Sequence, residues 1–226
     1  MEVQLLYHTP KPERAVATAA RLCYAPVGAA ELMEQMSEAD TAKVLATIMK
    51  SGHHSALEHA SYTFAVDGVS RALTHQLVRH RLASYNQQSQ RYVTYEGHFE
   101  PVCPPAVAAE SETAAIFQEA MAAAWASYGR LIEAGVAAED ARYVLPNATV
   151  TKIVVTMNIR ELLHFFTVRL CHRAQWEIQD LAARMLDLVR PTAAYIFVDA
   201  GAPCRRSCCP EGAMSCGQPF ERIERR

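Results

Sequence analysis

The chain has 226 residues, half of them hydrophobic, with 22 Lys and Arg against 24 Asp and Glu and a formal net charge of -2. This composition supports a sizeable buried core and excludes an extended disordered chain, while the near-neutral charge argues against a nucleic-acid polymer as partner, because duplex binders carry a net basic face. No apolar run approaches the roughly 20 residues needed to span a bilayer, and the N-terminus lacks the basic-then-apolar order of a signal peptide, so a cytoplasmic protein without a membrane partner is expected.

In chain order, EVQLLYH alternates as a first strand, and PERAVATAARLCYA changes to helical spacing with a proline in its first turn. Residues 29 to 51 predict one or two helices, with Ser37 or Asp40 as cap and Gly52 as the stop. HASYTFAVDG reads as a strand ended by an Asp-Gly turn. From Val69 onward, Ala72, Leu73 and Leu77 continue the stripe of an amphipathic helix whose last turn reaches Arg79, His80 and Arg81. Beyond it, SYNQQSQR fits neither the helical nor the strand period and predicts an ordered loop.

Residues 105 to 134 carry Phe117, Met121, Trp125, Tyr128 and Leu131 at three- and four-residue steps, which predicts one long helix entered through Pro104 and Pro105 and ending at Gly135. A short helix through Ala141 and the β-branched strand TVTKIVVTM follow. Asn158 and Glu161 have a capping-box-like spacing and begin a helix carrying Arg160, His164 and Arg169. A last helix from about Ala174 to Val189 stops at Pro191. The expected fold is α+β, a single catalytic domain over residues 1–200 with a mixed core and long helices. Residues 201–226 form a Cys-rich tail, expected to be flexible, whose Cys204, Cys208, Cys209 and Cys216 leave metal binding or a redox role as the alternative.

The stretch RHRLASYNQQSQRY holds the most polar chemistry. Arg79, Arg81 and Arg91 are interleaved with small hydroxyls and amides, a combination suited to a phosphorylated small molecule because guanidinium forks offer paired donors in one plane. A solvated helix end whose cations complement the helix dipole explains the same residues. In GHHSALEH, the spacing of His53, His54, Glu58 and His59 is not that of a zinc motif, so hydrogen-bonding or stacking histidines are the expectation and no metal is assigned. Cys171, near Arg169, is read as a buried structural cysteine rather than a nucleophile.

RHRLASYNQQSQRY resembles the RHRxxSxNxxSxR signature of the flavin-dependent thymidylate synthases, matching Arg79, His80, Arg81, Ser84, Asn86, Ser89 and Arg91 without a gap. GHHSALEH, RYVLP from Arg142, NIRELLHFFTVR from Asn158 and AQWEIQ from Ala174 continue the likeness over roughly residues 1 to 200, with the tail from Pro203 outside it. The resemblance implies reductive methylation of dUMP to dTMP with methylenetetrahydrofolate as one-carbon donor and NADPH as reductant through FAD, in a homotetramer with shared active sites.

Carried onto this sequence, it implies that Gln76, Arg79, Gln87, Ser89, Gln90, Arg91, Arg142 and Arg169 hold dUMP. His53, Ser55, Glu58, His80, Arg81, Asn158, Arg160 and His164 contact FAD, with Arg79 and Gln87 shared between the two ligands. Catalysis falls to Arg169, Ser89 and His53, with Arg169 polarising the uracil ring and Ser89 serving chiefly in binding. The chain has no GxGxxG, so FAD is not expected on a Rossmann-type helix terminus.

Overall fold

The computed structural model describes residues 1–94 and 100–221. Its strands are β1 (Glu2–His8), β2 (Ser61–Ser70), β3 (Ala83–Gln87) and β4 (Val150–Asn158), joined in one four-stranded sheet in the order β1-β2-β4-β3. The helices are α1 (Pro12–Leu22), α2 (Ala29–Gln35), α3 (Glu38–Ser51), α4 (Arg71–Leu77), α5 (Pro105–Ala108), α6 (Ser111–Glu133), α7 (Ala138–Ala141), α8 (Ile159–Arg169), α9 (Trp176–Val189) and α10 (Ala194–Phe197). The fold is therefore α+β. Among the described residues, no helix is long and apolar enough to cross a membrane.

The chain divides into two compact units. The first comprises residues 1–2, 66–78 and 86–153, and the second comprises residues 3–65, 79–85 and the chain from Val154 onward. In the first unit, α4 is capped by the Ser70 hydroxyl, which accepts from the Leu73 amide. The amides of Arg71 and Ala72 donate to the carbonyls of Thr149 and Asn147. Most of α6 is exposed: Tyr128 is buried and stacks with Trp125, while the rest of the expected stripe is half-covered.

In the second unit the core is built on α8 and α9. Ile159, Leu162, Phe165 and Phe166 of α8 and Ile178, Leu181, Met185 and Val189 of α9 recur at helical spacing and are fully buried. Phe166 meets Phe197 edge-on with centroids 6.0 Å apart, and Phe197 meets Tyr62 in the same way at 5.9 Å. The Tyr62 hydroxyl is satisfied at 2.8 Å by the Thr192 hydroxyl, which lets a polar ring sit in an apolar cluster. Residues 201–221 belong to this unit: Gly201 and Ala202 are buried, Arg173 pairs with Glu211 at 2.6 Å, and the rings of His172 and Phe220 stack at 3.9 Å. The last residues of the expected tail, 222–226, lie outside the described residues.

Four expectations about local structure are corrected. First, Asp67-Gly68 does not end a strand, since β2 runs through it to Ser70. Gly68 adopts a φ of 71°, and the fully buried positions change from Tyr62, Phe64 and Val66 to Val69, so the glycine shifts the phase of the strand by one residue, as a bulge does. Second, α4 stops at Leu77, before Arg79. Residues 79 to 81 are instead exposed, buried, exposed in turn, which sends His80 alone inward. Third, Ala83 to Gln87 form edge strand β3 rather than a loop; their burial alternates although their side chains are polar, so the sequence showed no apolar period. Fourth, the helix expected over 105 to 134 is broken at Ala109 and Glu110 into α5 and α6.

A Cβ at Gly68 would meet Met1 backbone atoms at an ordinary 3.5 Å, so the left-handed backbone alone opposes a side chain there. Gly68→Ala is expected to lower stability by about 1–2 kcal/mol, read as a shift in the urea unfolding midpoint. A midpoint equal to that of the parent chain would refute this account of the strand.

Candidate functional site

A cleft of about 1350 Å³ opens within the second unit. Its walls come from α3, from the residues following α4, from α8 and from the C-terminal segment. Lys50, Arg79, Arg81, Arg160 and Arg206 bring five permanent cations to it, against the carboxylates of Glu161 and Asp199. Several positively charged groups converging on a concave site suit an anionic ligand. Helix α8 presents its cleft face because Asn158 caps it: the Asn158 side-chain carbonyl accepts from the Glu161 amide at 2.9 Å. Arg160, Glu161, His164 and Thr167 then follow at one- and three-residue steps along one side of the helix.

At the inner wall, His80 is 5% exposed and Glu161 also 5%. His80 Nδ1 lies 3.0 Å from Glu161 Oε1, and Arg169 Nε donates to His80 Nε2, also at 3.0 Å. A guanidinium N–H has no lone pair, so Nε2 must accept. The ring proton therefore sits on Nδ1 and is donated to Glu161, which makes this contact a hydrogen bond of a neutral imidazole rather than an ion pair. Burial pushes the His80 imidazolium below the ordinary histidine range, and Arg169 and His164 push it the same way; Glu161 pulls upward. Burial likewise lowers Arg169. The Tyr85 hydroxyl donates to the His80 carbonyl at 2.8 Å, and Phe165 meets the imidazole edge-on at 5.0 Å, so the ring is held on several sides.

The ligand atoms of His80, Glu161 and His164 lie within 4.8 Å of one another, a grouping able to hold a metal ion. With Arg169 donating to one nitrogen of His80 and Glu161 accepting from the other, the chemistry of this trio is that of a hydrogen-bond chain. The expected tail thiols form no disulfide among the described residues.

The predicted residues divide between the units. In the second, Arg79, His80, Arg81, Arg160 and His164 line the cleft. Glu58 is held to Arg160 by an ion pair; His53 and Ser55 are exposed beside it at the start of the 3-10 turn His54–His59; Asn158 is spent on its cap. Arg169 reaches the cleft through His80. In the first unit, Gln87 donates to the hydroxyls of Thr74 at 3.2 Å and Thr151 at 3.3 Å. The Ser89 hydroxyl accepts from the Arg91 amide at 3.1 Å, a turn contact. Arg91 forms an ion pair with the Glu139 carboxylate while Arg142 Nε donates to the Glu139 carbonyl at 2.9 Å, so one acidic residue gathers both arginines. Gln90 is buried and Gln76 half-buried.

Sequence reasoning missed Lys50, His54, Glu161, Thr167 and Arg206. His54 stood next to the chosen His53, and its burial with Arg160 and Arg206 nearby depresses its imidazolium. Arg206 lies in the segment expected to be a flexible tail, yet it donates to the Thr167 hydroxyl at 3.1 Å and lines the cleft. Composition carried no signal for it.

A family sequence model described as "Thymidylate synthase complementing protein" matches residues 4–193. The chain is 57% identical over 222 residues to a flavin-dependent thymidylate synthase of Geobacter sulfurreducens, covering 98% of this chain and 96% of the relative. It is 48% identical to a flavin-dependent thymidylate synthase of Clostridium tetani over 98% of this chain and 95% of that one. The solved structure of a UMP/dUMP methylase, PolB from Streptomyces cacaoi, bound with 5-Br dUMP, is similar with a TM-score of 0.77 and 27% identity, covering 88% of this chain and 95% of the other. The similarity to the first relative takes in most of the tail, which corrects the expectation that the tail lies outside the likeness.

His54 and His80 both sit below the ordinary value of 6.5, chiefly through burial. A base depressed in the folded state takes its proton more readily when unfolded, so its contribution is complete above pH 6.5 and is lost as the pH falls below it. The thermal midpoint is expected to fall between about pH 7.5 and about pH 5.5, and His54→Gln to reduce that fall. An unchanged fall in the variant would remove His54 from the cause.

Proposed function

The chain belongs to the flavin-dependent thymidylate synthase family, and from that premise we propose that it converts dUMP to dTMP by reductive methylation, with methylenetetrahydrofolate as one-carbon donor and NADPH as reductant through FAD. The observation that carries the reading is the cationic cleft whose inner wall, His80, accepts the hydrogen bond that orients Arg169. A cleft of about 1350 Å³ with five cations suits FAD, whose pyrophosphate needs paired donors and whose rings need volume.

Arg79, Arg81, Arg160 and His164 are the residues of this chain that would hold FAD, with Lys50 and Arg206 adding charge. FAD when bound supplies the two-electron reduction that brings the transferred carbon to the methyl level. Arg160 is paired with Glu58 at an exposed site, where an ion pair is worth only about 0–1 kcal/mol, so it can turn to an incoming phosphate at little cost. Arg91 is in the same position with Glu139.

For the pyrimidine, Arg169 brings a half-buried guanidinium whose Nε is already committed to His80. Such a group stabilises charge on a ring carbonyl oxygen without reorganising, which makes carbon 5 nucleophilic. Arg79, Gln87, Ser89, Gln90, Arg91 and Arg142 are assigned to dUMP, with Gln76. His53 and Ser55 are assigned to the cofactor side with Asn158. Ser89 is a binding residue here: its hydroxyl is engaged with a backbone amide, and a serine without a base is a weak nucleophile. A cytoplasmic homotetramer with shared active sites is part of the proposal, supported by large apolar side chains left exposed, among them Tyr7, Leu82, Tyr92 and Tyr143.

The purified protein is expected to be yellow, with flavin absorbance that bleaches on NADPH addition. A colourless preparation that takes up no added FAD would contradict the proposal. Arg169→Ala should remove most dTMP formation while leaving the flavin bound, whereas Arg81→Ala should weaken flavin retention; full turnover in Arg169→Ala would exclude the role given to that guanidinium.

A further inference from the structure

The assignments above leave Glu161 without a task. It is a carboxylate buried to 5% exposure in the first turn of α8, where an amide or an apolar side chain would avoid the desolvation of a charge. Its Oε1 faces one nitrogen of His80, and the other nitrogen of the same ring faces Arg169, each at 3.0 Å. The position of the imidazole is fixed independently, by Tyr85 at its backbone carbonyl and by Phe165 against its edge. What remains undetermined by packing is which ring nitrogen carries the proton.

Resting on the dUMP-methylating reading of this site, we propose that Glu161 is a positioning residue for Arg169, acting through the tautomer of His80. By accepting the hydrogen bond of the Nδ1–H, it keeps the proton there and leaves the Nε2 lone pair pointing at the Arg169 Nε–H. Without Glu161 the proton is released to Nε2, where it meets another donor, and Arg169 loses the contact that sets the plane of its guanidinium. The same logic, a buried carboxylate choosing the tautomer of a histidine whose far nitrogen does the work, governs catalytic triads and metal-bound histidines. Here the work is orientation of a cation rather than proton transfer, and no group is oxidised or reduced.

The test uses the flavin-loaded protein and Glu161→Gln, whose amide has the same shape and can present an N–H to the ring. Three quantities are measured: reduction of the flavin by NADPH in the absence of dUMP, affinity for dUMP by calorimetry, and dTMP formation. dUMP affinity and dTMP formation are together expected to lose roughly 10–100-fold, a loss larger than any in NADPH reduction of the flavin. In a double-mutant cycle, Glu161→Gln added to Arg169→Lys should cost no more than Arg169→Lys alone, because both changes remove one interaction.

Parent-like dUMP binding and dTMP formation in Glu161→Gln, additive costs in the cycle, or an equal loss in the NADPH step would each overturn the positioning role. If Glu161→Gln loses its flavin, Glu161→Asp is read instead. A selective dUMP-side loss with flavin retained supports the role, and a parent-like result or loss of flavin refutes it. A parent protein that forms no dTMP from dUMP would instead sink the functional reading itself, so the two failures are told apart.

Discussion

The imidazole of His80 is bound on one side by a carboxylate and on the other by a guanidinium: the carboxylate holds the ring proton on Nδ1, and burial and the guanidinium donor at Nε2 keep the ring neutral. Hydrogen bonds to charged partners are each worth about 1.5–3 kcal/mol when desolvated, so protonating the ring would exchange a satisfied arrangement for two opposed donors facing each other. Much of the local architecture serves to place this ring. Helix α4 stops at Leu77 and a turn over Val78 and Arg79 follows, with His80 buried after it, and α8 begins where Asn158 caps it, so that Glu161 falls in its first turn and Arg169 at its end. The buried carboxylate at the first turn also gains from the positive end of the helix dipole, which offsets part of its desolvation.

Charge in this protein is local rather than global. A net charge of -2 coexists with a cleft lined by five permanent cations. Arg160, Arg91 and Arg173 are paired with Glu58, Glu139 and Glu211 at sites where solvent weakens the attraction. Weak exposed pairs keep these side chains ordered enough to be found by a ligand and loose enough to be surrendered to it. Arg206 extends the same logic into the C-terminal segment, where its contact with Thr167 joins that segment to the wall of the cleft.

The sheet shows how polar residues and glycine acquire structural roles that their types do not announce. Edge strand β3 is composed of Ala83, Ser84, Tyr85, Asn86 and Gln87, and its inward positions include Tyr85 and Gln87, which are hydrogen-bonded to other residues. An edge strand can be polar because its side chains are satisfied individually and its pairing comes from the backbone. In β2, the glycine after Asp67 is used for its left-handed φ without reversing the chain.

The sequence by itself determined the element types with strong periodicity: α1, α3, α8 and α9, strands β1 and β4, and the cap at Asn158, because apolar spacing and capping chemistry are local properties, while of Ser37 and Asp40 the structure selects Ser37 as the cap of α3. It also determined the family, since the spacing from Arg79 to Arg91 is specific in itself. Only the tertiary structure decided that Gly68 lies within a strand, that ASYNQ pairs as an edge, and that Arg206 reaches the cleft, because each depends on a partner distant in sequence. The tie between Glu161, His80 and Arg169 is of the same kind. His80 and Glu161 are 81 residues apart, and the protonation state of the ring is set by burial and by two neighbours that no local pattern connects.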